Sequence, residues 1–115
     1  MALHHASAGE VVDLSPLGNN LHEAQTAALV KTDSFEAIRL VLKTGHEIPA
    51  HAVSGKFTLH CLEGRVAIDL PERSLELAAG QWTYFEGGVP HGLRAIQDAS
   101  LLLTIMLSSA GAGGT

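Results

Sequence analysis

Gly45-His46-Glu47-Ile48-Pro49-Ala50-His51 opens a series of spaced glycines and histidines that continues through Gly64, Gly80 and Gly88 to Pro90-His91. Five residues separate Gly45 from His51, and two separate Gly88 from His91. Glycine reaches positive φ without a Cβ penalty, so Gly64 and Gly80 are expected at hairpin corners. Reversal of the chain there would bring the His51 strand beside the His91 strand.

The sequence around these positions is punctuated like an all-β protein. Turn signals stand at Ser15-Pro16-Leu17-Gly18-Asn19-Asn20, Thr32-Asp33-Ser34, Thr44-Gly45, Ser54-Gly55, Glu63-Gly64, Pro71-Glu72-Arg73, Ala79-Gly80, Gly87-Gly88 and Gln97-Asp98. They recur about every 8–12 residues, the rhythm of a sandwich or barrel. Val66, Ile68 and Leu70 alternate with Ala67 and Asp69, and Leu75 and Leu77 alternate with Ser74 and Glu76, so the two segments form a hairpin across Pro71-Glu72-Arg73. Residues 101–107 are apolar on both faces and are expected to be covered on both. Residues 17–28 hold the one helical candidate, a short turn with Asn19 and Asn20 as caps.

Both glycine–histidine groups, in order and with a short spacer, resemble the two motifs of the cupin superfamily, in particular its small single-domain, RmlC-like bacterial members. The first motif runs from Gly45 to Gly64. It keeps His51, but Val53 stands at the second histidine position and Phe57 at the glutamate. The second motif keeps Gly80, Gly88 and His91, with Glu86 in place of a proline and Ala95 in place of an asparagine. The resemblance implies an all-β fold, a small antiparallel β-barrel of the double-stranded β-helix or jelly-roll type, with at most a short helical turn near the N-terminus. It divides the chain into a loose arm (1–9), a barrel (10–107) and a Gly/Ala/Ser tail (108–115).

In such a barrel three histidines and a carboxylate usually hold one divalent transition metal: iron, nickel, zinc, manganese or copper. His51 and His91 occupy two of those positions. His60 is a candidate replacement ligand if a bulge near Ser54-Gly55 changes the register, because strict alternation from Phe57 sends it to the opposite face. His46 is a weaker candidate, with Pro49 available to interrupt the strand between it and His51. Val53 and Phe57 would make the pocket apolar, and Trp82 and Tyr84, which share a face, would line it if they point inward. Glu86 reads as a turn residue that could also serve as a rim carboxylate. Cys61 neighbours His60 on the opposite face, which leaves it a buried structural thiol. The resemblance thus implies a metal-dependent dioxygenase or isomerase acting on a small organic molecule. The alternative that the lost ligands admit is a metal-free small-molecule binding or sensing module, and after it a metal-free isomerase using a histidine base.

Composition narrows the other classes. A chain of 115 residues with 46 % hydrophobic and 17 % charged residues suits one globular domain. Seven Lys and Arg against twelve Asp and Glu leave a net charge of −5 and no basic stripe for phosphates, so neither nucleic acid nor an anionic membrane is an expected partner. One cysteine excludes an intrachain disulfide, and with no secretion signal in view the expected location is cytoplasmic. Edge strands and an apolar outer face predict a homodimer joined sheet to sheet.

Overall fold

The computed structural model describes residues 4–107. Nine antiparallel strands follow a short 3-10 helix at Gly18–Glu23: β1 (Ala27–Lys31), β2 (Phe35–Leu42), β3 (Glu47–His51), β4 (Phe57–Glu63), β5 (Arg65–Asp69), β6 (Ser74–Ala78), β7 (Trp82–Phe85), β8 (His91–Ala95) and β9 (Ala99–Met106). They form one sheet in the order β1-β2-β9-β4-β7 and another in the order β3-β8-β5-β6. This is the jelly roll expected from the sequence. The tail 108–115 and residues 1–3 lie outside the described residues.

Alternation explains the core. Phe57, Leu59 and Cys61 of β4 are buried, while Thr58 and His60 between them are half-buried on the other face. Leu40 and Leu42 of β2 and Leu101 of β9 join them from the same sheet, and Val66, Ile68, Leu77 and Leu93 from the facing sheet. The β5–β6 hairpin pairs Ile68 with Leu75 and Val66 with Leu77, matching the alternation of its sequence. β9 lies between β2 and β4, which accounts for its apolar composition. Residues 6–15 cross the outer face of that sheet. Ala6 N–H donates to Leu29 O at 2.7 Å, and Arg39 Nη2 donates to Asp13 O at 3.2 Å.

Three local expectations are corrected. Gly64 and Gly80 are not hairpin corners: β4 and β7 belong to one sheet and β5 and β6 to the other, so each glycine carries the chain between sheets. At Gly64, with φ of +82°, an added Cβ would lie 2.0 Å from Asp98 O, so the close crossing admits no side chain. Second, the helical turn ends at Glu23 with Ala24 extended, and does not run on toward Ala28. Third, Asn19 and Asn20 lie inside that turn and do not cap it. The Glu63 carboxylate takes the Leu17 N–H at 2.7 Å and the Gly18 N–H at 3.1 Å, and accepts the Ser100 hydroxyl at 2.6 Å. Partial burial works against its ionisation, but these hydrogen bonds prevail and lower its pKa.

Candidate functional site

His51 and His91 face each other directly across the β3–β8 pair, with ring centroids 4.6 Å apart. A bulge makes this possible. Between Ile48 and His51 the ladder slips, so three steps along β3 match the two from Leu93 to His91 along β8. In a regular strand, residues three apart point to opposite faces. Here Ile48 and His51 line the same cavity. Pro49 sits in the bulge, and β3 is an edge strand, where a missing N–H is tolerated.

The cavity has a volume of about 210 Å³ and is lined by Leu40, Ile48, His51, Phe57, Leu59, His91, Leu93 and Leu103. Among the described residues, the two imidazoles are the only polar side chains in that wall. His91 is 5 % exposed and stacks at 4.3 Å on Phe57, whereas His51 is exposed at the mouth. Each ring is held by the carbonyl two residues before it: His51 Nδ1 lies 3.2 Å from Pro49 O, and His91 Nδ1 lies 3.1 Å from Val89 O. Burial pushes the His91 pKa down, and proximity to His51 acts in the same direction. The Val89 carbonyl opposes them without prevailing. The buried ring is therefore neutral at neutral pH.

The other candidates fall elsewhere. His60 pairs with Trp82 on one side and Leu102 on the other, on the outer face of the five-stranded sheet. No bulge at Ser54-Gly55 reverses it. β4 alternates without interruption from Phe57 through Cys61. Trp82 and Tyr84 share a face as expected, with rings 6.1 Å apart, but it is that outer face, and they are 57 % and 53 % exposed. His46 is exposed before β3, its carbonyl bonded to Ala95 N–H. Val53 packs against the core beside the cavity without lining it. Phe57 lines the cavity wall. Leu40, Ile48, Leu59, Leu93 and Leu103 carry no mark of a site in the sequence. Their alternation marks them as core, and nothing in it distinguishes a core side chain from one bordering a hollow. A larger hollow of about 510 Å³ lies between residues 6–14 and the outer face of β1, β2 and β9. Among the described residues no histidine lines it, and its Glu10 carboxylate is already taken by His4 and the Ser7 N–H.

The donor set decides how a metal would fare. Among the described residues no three His, Cys, Asp or Glu side chains converge on one point. Catalytic zinc takes three protein ligands, and where a carboxylate would complete the set stands the Phe57 ring. The residues present do not fit a tightly held divalent metal.

The family profile described as a cupin domain matches residues 38–107. No curated protein matches the sequence. Among solved structures the chain is similar to a conserved protein of unknown function from Streptococcus pyogenes, with 23 % identity, a TM-score of 0.75, and coverage of 96 % of this chain and 100 % of that one. It is also similar to an RmlC-like cupin from Desulfovibrio desulfuricans, at 22 % identity and a TM-score of 0.66, with 92 % and 96 % covered. The polyketide cyclase RemF from Streptomyces resistomycificus aligns at 21 % identity and a TM-score of 0.65, over 72 % of this chain and 64 % of that one. These likenesses establish a shared fold. Since the profile spans well over half of the sequence, including both histidine groups, the chain belongs to the cupin family.

Proposed function

We propose that this chain holds a small, mainly apolar organic molecule between its sheets, with His51 and His91 receiving the molecule's polar end. The observation that carries this reading is the pairing of two imidazoles in a wall otherwise made of aliphatic side chains and Phe57. A cavity near 210 Å³ is somewhat larger than the ~150 Å³ that accommodates benzene, so a single substituted ring is the right scale. Dioxygenase chemistry needs a metal that two imidazoles hold poorly. Binding without a metal, with proton transfer to a neutral imidazole as the enzymatic extension, suits the residues better.

Elemental analysis of untagged protein, paired with small-molecule titration, tests this. Metal well below one equivalent, together with binding of aromatic probes that His51→Ala and His91→Ala weaken, is the expected result. A stoichiometric transition metal lost in both variants would replace this reading with the metal-dependent one.

We also propose self-association through the outer face of the five-stranded sheet. Thr58, His60, Trp82, Tyr84, Leu102 and Thr104 leave its β4, β7 and β9 side uncharged, while Arg39 and residues 6–15 occupy the β1–β2 side, so two copies can meet on the former without charge conflict. The outer face of the other sheet carries the Asp69–Arg94 and Arg65–Glu76 ion pairs and suits water.

A further inference from the structure

We infer that the molecule held in this cavity is a neutral hydrogen-bond donor, a single-ring compound bearing a phenolic or enolic hydroxyl. This inference rests on reading the cavity as a ligand site and deepens that reading. Carbonyl oxygens only accept hydrogen bonds. With Pro49 O at 3.2 Å and Val89 O at 3.1 Å, the Nδ1 of His51 and of His91 must each carry the proton. A neutral imidazole has one N–H, so on the buried His91 ring Nε2 is left as a lone-pair acceptor. The same device occurs twice, on directly paired residues of adjacent antiparallel strands, each ring tied to the carbonyl two positions back. The enclosed end of the wall thus presents an acceptor, His91 Nε2, among apolar side chains.

The chemistry of the occupant follows from that inventory. A carboxylate, ether or ketone would set lone pairs against lone pairs. An ammonium would lose its hydration against aliphatic side chains, a heavy cost. A neutral hydroxyl supplies the missing proton, and its ring fills the apolar remainder. Discrimination resides mainly at His91, the more enclosed of the two rings, whose Nε2 goes unmatched when an occupant without a donor displaces water from the cavity.

The test compares 4-fluorophenol with 4-fluoroanisole, followed by 19F NMR titration into the full chain at neutral pH. The methyl ether keeps the ring and removes only the donor. The phenol should bind about ten-fold tighter, the scale of one well-made hydrogen bond. Equal affinities, or a preference for the ether, overturn the donor inference while leaving the cavity as a ligand site. Absence of binding by both at millimolar concentration removes the cavity reading, and the inference with it. An independent measurement needs no variant: long-range 1H–15N correlations should show the Nδ1–H form at His51 and His91, and an Nε2–H form at His91 overturns the inference.

Discussion

At the scale of single residues, His91 links the cavity to the pH dependence of the fold. Its pKa in the folded chain is pushed below the ~6.5 of an unfolded histidine, chiefly by burial. The unfolded state therefore binds the proton more readily, and stability rises with pH between the depressed value and ~6.5. Above that window the effect vanishes, and below it the penalty is constant. Urea midpoints measured from pH 5 to 8 should rise through the window in the parent chain and flatten in His91→Gln. This residue and His51 were legible through the resemblance of the two glycine–histidine groups to the cupin motifs, which place both in one barrel. The direction of Trp82 and Tyr84 was not. Alternation tells which residues share a face, but an exposed aromatic pair and a buried one read alike, and both rings lie outside. Glu63 was legible only as a turn residue, since its partners Leu17 and Gly18 come from another part of the chain.

At the scale of elements, the parity of β3 sets the site. One extra residue between Ile48 and His51 keeps both on the cavity side. Deleting Ala50 alone should restore a regular ladder with the histidine still inward, and fluorophenol affinity should stay within about three-fold. Deleting Pro49 and Ala50 together should turn the ring outward and weaken binding more than about ten-fold, one lost hydrogen bond being worth that much. Titration of both variants, with NMR spectra to confirm folding, checks the argument. Proline hinted at an interruption in the sequence, yet the extra residue itself was invisible, because a bulge is defined only against its partner strand. The same logic separates the β5–β6 hairpin, read correctly from local alternation, from the crossings at Gly64 and Gly80, which depend on long-range pairing. Gly64→Ala should cost at least about 2 kcal/mol, combining a positive-φ strain with the clash at Asp98 O. Gly45→Ala, where φ is +85° but nothing lies within 4 Å, should cost about 1 kcal/mol by urea denaturation.

At the scale of the molecule, the two sheets differ in what they offer the outside. The charged face is led by Asp69, which its Arg94 and Ser74 hydrogen bonds hold at a pKa of about 2. The five-stranded sheet's outer face has an uncharged part at β4 and β7, which carries Trp82 and Tyr84. If two copies meet on this uncharged part, Trp82→Glu should shift sedimentation from dimer toward monomer, while Glu76→Gln on the charged face leaves it unchanged. No helix among the described residues is long and apolar enough to cross a membrane. The hollow with the histidines takes its walls from both layers: Leu40, Phe57, Leu59 and Leu103 from one, Ile48, His51, His91 and Leu93 from the other. Whatever lodges there acts as a rivet through the laminate, and it cannot stay bound while the layers part. Occupancy must then register as heat resistance, about 2.7 kcal/mol at a hundred times the dissociation constant. The physiological compound can accordingly be sought by melting curves alone, whatever reaction it undergoes.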